Sequence, residues 1–414
     1  MTTPAYPEQP RVHAAIDKEI ADLTGRLTEL SLDLHAHPEL SLREHRSADL
    51  LKTWLADEGF SVQAPVAGLD TAFVAQAGPA GGTGSGEPVI AYLLEYDALP
   101  GVGHGCGHNL IAAGGLGAAT ALHRALRDGV FQGTALPGTL RVIGTPGEEG
   151  KGGKVTELEA GVFDDVDAAL MFHPANTTMM IRHSLASQPM TVKFHGKSAH
   201  AAGSPTEGRS ALAAMIQLFV AIDALRQFLP DLSRVHGVIL DGGKAANVIP
   251  AYTEAEFQVR GVTSGDAQEH VDRVIACAEA AAAATGTTVE IERHPFYAER
   301  KNNRVMAERT GAYLEAQGEQ VAPPVLRGGV GSSDVGNVSL KLPTIHPYLR
   351  ITRHEAPGHS LEMARAAASP YAQEAMLRMA TALAKTGADL FGEPGMLDAA
   401  RREFAERGPD LPAG

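Results

Sequence analysis

Val12, Ile16, Ile20, Leu23, Leu27, Leu30 and Leu34 recur at steps of three and four, which predicts one apolar stripe on a long amphipathic helix ended by His37-Pro38. A second helix is expected from about Glu44 to Glu58, carrying Leu50, Leu51, Trp54 and Leu55 and closed by Gly59. A strand follows around Thr71 to Val74. Pro79 to Pro88, with four glycines, is expected to form a flexible surface turn. The unbroken apolar run Val89 to Leu94 predicts a buried strand. After it come a helix from Asn109 to Arg127, a strand from Thr139 to Gly144, a helix around Lys154 to Leu158, and a strand from Ala168 to Phe172. This alternation predicts an α/β domain, a helix-flanked, mixed but mostly parallel sheet.

The order changes near Ala186. Strand Gln188 to Gly196, helix Thr206 to Phe228, strands Gly237 to Leu240 and Tyr252 to Val262, helix Gly265 to Thr285 and strand Thr287 to Arg293 spell β-α-β-β-α-β, a ferredoxin-like unit. The α/β pattern then resumes with a helix near Asn302 to Gln317, a glycine-rich loop Gly328 to Asp334, a strand around Thr344 to Ile351 and a last long helix from Ser360. The expected division is a discontinuous catalytic domain, 1–185 with 298–414, and an inserted lid or dimerisation domain, 186–297.

Composition narrows the function. The 414 residues carry a net charge of −14, which leaves no broad basic face and excludes nucleic acid as a partner. Cys106 and Cys277 are the only cysteines, too few for a disulfide framework, so a cytoplasmic setting is expected. Met1 to Pro10 has no apolar leader character and no apolar run is long enough to span a membrane, so neither secretion nor membrane insertion is expected.

The chemistry gathers at strand ends. The buried strand delivers Glu95-Tyr96-Asp97-Ala98-Leu99-Pro100, then Gly103-His104-Gly105-Cys106-Gly107-His108-Asn109, a glycine-punctuated loop with a soft thiolate and an imidazole one residue apart. Glu148-Glu149 follows the next strand, His173 ends another, and His359 opens the C-terminal helix. Open α/β sheets place their sites at such positions. Cys106, His108, Glu149, His173 and His359 supply five N, O and S donors, more than one tetrahedral ion uses and suited to two divalent ions, zinc or manganese, sharing a hydroxide. Glu148, beside a ligand, is then the natural general base. Rival readings remain: a cysteine hydrolase using Cys106 with His108 or His104, a non-catalytic binding protein on the same fold, and His354 in place of His359. Cys277 reads as a core residue.

Leu34-His35-Ala36-His37-Pro38-Glu39-Leu40, Asp97-Ala98-Leu99-Pro100, Gly105-Cys106-Gly107-His108-Asn109, Glu148-Glu149, Gly196-Lys197-Ser198-Ala199-His200-Ala201 and Asn247-Val248-Ile249-Pro250 resemble the aminoacylase and carboxypeptidase family of co-catalytic metallopeptidases. The match is to its amidohydrolase branch, with aminobenzoyl-glutamate hydrolases, auxin-conjugate hydrolases and aminoacylase-like dipeptidases. The resemblance implies a two-metal domain with an inserted lid, Cys106 as bridging ligand, and Asp97 as a carboxylate orienting a ligand. It also implies His200 as a donor to the oxyanion and Asn247 with Arg260 as holders of the substrate. Glu95 stands where other branches keep a metal-binding histidine. Asn109 replaces a common aspartate, which points to the dipeptidase-like relatives. His35 and His37 are expected to be structural. The implied activity is hydrolysis of the amide bond of N-acyl amino acids, aminobenzoyl-amino acids or dipeptides, by a chain that can pair into a homodimer through the lid.

Overall fold

The computed structural model describes residues 9–78, 87–127, 138–324 and 331–410. Residues 79–86 of the expected glycine turn and 328–330 of the expected glycine-rich loop lie outside the described residues. The chain divides into two compact units, the first formed by Met1–His183, Arg300–Leu326 and Asn337–Asp410, the second by Ser184–Glu299 with Arg327–Gly336.

The first unit opens with α1 (Gln9–Ala36), α2 (His45–Asp57), β1 (Ser61–Gln63), β2 (Phe73–Ala77), β3 (Val89–Leu94), α3 (His108–Arg127), β4 (Thr139–Gly144), α4 (Gly153–Glu159), β5 (Ala168–Leu170) and β6 (His173–Ala175). The second contains β7 (Ala186–His195), α5 (Ala211–Arg226), β8 (Arg234–Asp241), β9 (Tyr252–Gly261), α6 (Ser264–Thr285) and β10 (Thr288–Arg293). The chain ends with α7 (Arg304–Ala316), α8 (Val335–Lys341), β11 (Thr344–Ile345), β12 (Tyr348–Arg350), α9 (Leu361–Ala367), α10 (Pro370–Gly392) and α11 (Met396–Glu406).

The main sheet runs β1-β2-β4-β3-β5-β11. β4, β3, β5 and β11 are parallel; at one edge β2 runs antiparallel to β4, and β1 antiparallel to β2. Every residue of β3 is buried, as its unbroken apolar run requires, because strands flank it and α3 and α10 pack on it. The α1 stripe is buried from Val12 to Leu34 and packs on α3, where Gly117 leaves room for the Leu27 side chain. The last two elements of the sheet depart from expectation. The strand expected from Thr344 to Ile351 splits: β11 pairs with β5, while β12 pairs with β6 in a separate two-stranded sheet. Pro347, which has no N–H to give a ladder, lies at the break. The last helix also breaks, at Ser369-Pro370, where the Ser369 hydroxyl caps α10 through Ala372 N at 3.2 Å.

In the second unit the antiparallel sheet runs β10-β7-β9-β8. Alternate β9 residues, Ala255, Phe257 and Val259, are buried in one core with Leu218 and Ile222 of α5 and Val271 and Val274 of α6. Helix α6 begins with a reciprocal capping box between Thr263 and Asp266 and ends at Gly286, whose φ of +64° is the left-handed turn glycine favours. The helix expected from Thr206 starts at Ala211, since Ser210 is its cap and Pro205–Glu207 forms a separate short turn. Among the described residues, no helix is long and apolar enough to cross a membrane.

Tyr92 of β3 donates its hydroxyl to Leu383 O at 2.9 Å, and a Cβ at Gly387 would stand 2.1 Å from that hydroxyl. Gly387→Ala should therefore cost about 1–3 kcal/mol by overpacking a pinned ring. The measure is the denaturant midpoint, which should fall with the slope unchanged.

Candidate metal centre

β3 runs directly into Glu95, Tyr96 and Asp97, all buried, and the Tyr96 hydroxyl fixes this segment by donating to Thr71 O at 2.6 Å. The chain then turns through Gly107, whose φ is +75° and whose absent Cβ would lie 2.7 Å from Pro174 Cγ. Only glycine fits this turn, and the turn brings α3, which starts at His108, against β6, which starts at His173. Beyond β4, the turn at 147–150 presents Glu148 and Glu149. His359 has a left-handed φ of +59°, uncommon for a non-glycine residue, and the Ser360 hydroxyl caps the following α9.

Among the described residues, three groups of donor atoms lie wholly within the first unit. Cys106, His108 and His173 form one, Cys106, Glu149 and His359 a second, and His108, Glu148 and Glu149 a third; within each, all ligand atoms lie within 4.8 Å of one another. Cys106 is common to the first two. The imidazole tautomers are set by their other nitrogens. His108 Nδ1 lies 2.9 Å from Asp97 Oδ1, and His173 Nδ1 lies 2.7 Å from Pro174 O; each oxygen can only accept, so both Nδ1 atoms carry the proton. In the neutral ring that a metal ligand requires, each Nε2 then has a lone pair. His108 Nε2 and Glu149 Oε1, 4.0 Å apart, are buried without hydrogen-bond partners. Unshared lone pairs converging from nitrogen, oxygen and sulfur fit a cation, and two trios with a common sulfur fit two. This is a dinuclear site for divalent ions.

The surrounding charges agree. Burial works to raise the Asp97 carboxyl, but the His108 charge and hydrogen bond, with Glu149 N and Ser41, bring it down to about 2. Burial, and then the Glu149 and Glu148 carboxylates, push the Cys106 thiol up. A cysteine nucleophile needs the opposite environment, so the cysteine-hydrolase reading loses its basis. Burial also lowers His173, to about 4, with the His108 charge acting in the same direction. Glu95 forms a fully buried ion pair with Lys154 at 2.5 Å and keeps its other oxygen 3.5 Å from His108 Nε2.

His200, Asn247 and Arg260 belong to the second unit. Ala202 N and Gly203 N donate to His200 Nδ1 at 3.2 and 2.9 Å, so neutral His200 carries its proton on an Nε2 of an exposed ring. Asn247 is adjacent, its carbonyl accepting from Ala201 N at 3.0 Å. Arg260 is elsewhere. It pairs across the sheet with Ser187 and Arg234, whereas Tyr252, near the Asn247 loop, pairs with His195. Eight residue steps of extended strand separate Tyr252 from Arg260, about 26 Å. Asn247 and Arg260 of one chain therefore do not meet, although their spacing in sequence suggests one hairpin device. The Arg260 guanidinium donates to Ser332 Oγ at 3.0 Å and has no carboxylate partner among the described residues.

Other candidates take structural places. His35 bonds to Ala364 O, His37 to Asp33 O, and His104 to Leu34 O. His354 is absent from the donor groups found among the described residues, and Cys277 packs against the core of the second unit. Asn109 ties α3 to α1 through Ser31 Oγ at 3.0 Å. The sequence reading missed Lys154 as the counter-ion of Glu95, and Ser41 and Glu44 as contacts of the site loops. Lys154 lies in a glycine-flanked Gly-Gly-Lys, and the other two extend the motif that begins at Leu34.

Asp97→Asn should replace a charged acceptor by a neutral amide and weaken the hold on the His108 tautomer. Metal affinity is expected to fall 10–100-fold. Competition against a chelator, followed by metal content per protomer, measures it.

Residues 187–286 match the peptidase dimerisation domain family. Over 94% of its length the chain is 38% identical to the Xaa-Arg dipeptidase of Mus musculus, of which it covers 90%. It is 31% identical to a p-aminobenzoyl-glutamate hydrolase subunit from Escherichia coli (strain K12), covering 95% of each chain. Its fold is shared with the crystal structure of a dinuclear metal binding peptidase of the M20 family from Bacillus subtilis, at a TM-score of 0.58, 23% identity, and coverage of 87% of this chain and 98% of that one. With its dinuclear donor set, the chain belongs to the M20 family of metal-dependent peptidases and amidohydrolases.

Proposed function

We propose that this metallo-amidohydrolase cleaves the amide bond of dipeptides, N-acyl amino acids or aminobenzoyl-amino acids that bear a free carboxylate. The observation that carries the reading is the consecutive pair Glu148-Glu149 beside His108, whose tautomer presents Nε2, with His173 in a further group with His108 and Cys106. In this assignment Cys106, His108, His173, Glu149 and His359 would hold two ions, zinc or manganese. When bound, the ions polarise the scissile carbonyl and make water acidic enough to attack at neutral pH. Glu148 removes the water proton and returns it to the leaving amine. Asp97 keeps His108 in its ligand tautomer. His200 donates its Nε2 proton to the developing oxyanion, the tautomer its backbone contacts support. Arg260 reads the substrate carboxylate with its planar fork, and Asn247 contributes beside His200.

The second unit, read as a ferredoxin-like lid, also serves as a homodimer interface. A dipeptide spans about 7 Å, so it cannot bridge the about 26 Å between the His200 and Arg260 ends of one sheet. Two copies can share a site if one supplies Arg260 and the other His200 with Asn247. An apolar surface suits such pairing: Val238 and Leu240 on edge strand β8 are 56% and 53% exposed, and Val220 on α5 is 63% exposed. A reducing, cytoplasmic setting suits the free Cys106 ligand.

Glu148→Gln should retain both metals by mass spectrometry and lose roughly two to four powers of ten in turnover. His200→Ala should lose on the order of a hundredfold. If His200 is supplied across the dimer, mixing the two inactive proteins should restore about a quarter of wild-type activity, since half the dimers are mixed and each then holds one complete site. No recovery would put His200 in its own protomer.

Arg260 sets the substrate. Converting the substrate carboxylate to a primary amide should cost about 2–5 kcal/mol in kcat/KM. Arg260→Ala should narrow the difference between acid and amide, and Arg260→Lys should recover only part of it. Equal rates on both forms in wild type would shift the reading to neutral amides.

A further inference from the structure

The segment between α1 and α2 holds none of the residues assigned a chemical role, yet it is bonded to both loops that carry them. Glu39 O accepts from Ala98 N at 2.8 Å, which lays the segment along the Asp97 loop. Ser41 Oγ donates to Asp97 Oδ2 at 2.7 Å, with Glu149 O as a second acceptor at 3.2 Å. Glu149 N donates to the same Asp97 oxygen at 2.9 Å. Three residues on, Glu44 Oε1 accepts from Gly147 N at 2.9 Å and from Leu42 N at 2.8 Å, while Oε2 accepts from Thr71 Oγ1 at 2.9 Å. The turn carrying Glu148 is thus tied one residue before it to Glu44 and one residue after it to Asp97 and Ser41.

Two features set this segment apart from an ordinary loop. Glu44 is fully buried, and among the described residues no cation pairs with it; its oxygens are taken up by two backbone N–H groups and a hydroxyl. Burying a carboxylate on neutral donors alone is costly. Leu42 adds strain, with a φ of +62° that brings its N–H to Glu44, and its side chain closes on Gly147, where a Cβ would lie 2.8 Å from Leu42 Cδ2. Burial cost and strain are both spent where the backbone before Glu148 is gripped.

We propose that Ser41 and Glu44 are positioning residues that hold the Glu148–Glu149 turn from both sides, so that the Glu148 carboxylate keeps its place beside His108. They act through Glu148, and the inference rests on the reading of Glu148 as general base. A displacement of about 1 Å at a reacting group costs on the order of a hundredfold in rate, so a contact to the main chain beneath the base is enough to matter. Glu44→Gln turns one acceptor into a donor among groups that only donate or must reorient, and Ser41→Ala removes one hydroxyl.

The test uses the metal-loaded enzyme, with each substitution made in wild type and in Glu148→Gln. In the wild-type background both variants should keep two metals per protomer by mass spectrometry, keep KM within about twofold, and lose roughly 10–100-fold in kcat. Added to Glu148→Gln, either should change the residual rate by less than about threefold, since the group they position is already lost. Ser41→Thr, which restores the hydroxyl, should recover most of the Ser41→Ala loss. Unchanged kcat, loss of metal, or the same fold-loss in both backgrounds overturns the inference while leaving the base assignment intact. Wild-type turnover in Glu148→Gln itself overturns the base assignment instead. If Glu44→Gln does not fold, Ser41→Ala carries the test alone.

Discussion

A single buried carboxylate, Asp97, joins the His108 ring to the turn that carries Glu148 and Glu149. One oxygen holds the His108 ring by Nδ1, and the other takes Glu149 N and the Ser41 hydroxyl. These contacts come from the start of α3, the turn after β4 and the segment after α1, so three separate stretches are registered against one group fixed at the end of β3. The anion can be buried because its acceptor sites are used by strong, charge-assisted bonds. The same accounting runs through the rest of the centre. The Glu149, Glu148 and Glu95 carboxylates act on the Cys106 thiol, with Lys154 as the ammonium paired to Glu95. That field opposes ionisation of Cys106, and cations held there would reverse it, so that metal uptake would release the thiol proton.

Much of this was legible in the sequence because its signals are local. The apolar run Val89 to Leu94 could only be a strand buried on both faces, and the loop after it carries Cys106 and His108 within three residues. Glu148-Glu149 and His173 likewise sit where strands end, which is where a parallel sheet exposes its loops. What escaped notice depends on contacts between distant parts of the chain. Lys154 reads as an ordinary helix-start lysine until Glu95 is found against it, fifty-nine positions away. Glu44 reads as the polar opening of α2, yet its carboxylate faces Gly147, one hundred and three positions on. Short elements were also lost: β1 spans only three residues, too few for any periodicity to register, and the split between β11 and β12 hung on the pairing of Pro347's neighbours with two different strands. Asn247 and Arg260 show a different limit. Sequence spacing along a hairpin says nothing about distance when one residue sits in the loop and the other at the far end of a ten-residue strand.

The second unit treats its two sheet edges unequally, and the difference bears on the proposed homodimer. β10, at one edge, presents Glu290, Glu292 and Arg293, with Lys193 of β7 bonded to both glutamates. Charges of this kind discourage a further strand from pairing there. β8, at the other edge, reads Arg-Val-His-Gly-Val-Ile-Leu-Asp, and its last apolar stretch is exposed on both faces. No lysine or proline blunts it. An unguarded apolar edge beside an exposed helix is a liability in a monomer unless something covers it. Antiparallel pairing of β8 with its own copy would satisfy the free backbone groups of both chains and cover Val238 and Leu240 at once, and a two-fold axis needs only this one self-complementary patch. In such a pairing the charged edge at β10 would stop the addition from continuing, so that the sheet would close at two copies instead of growing longer.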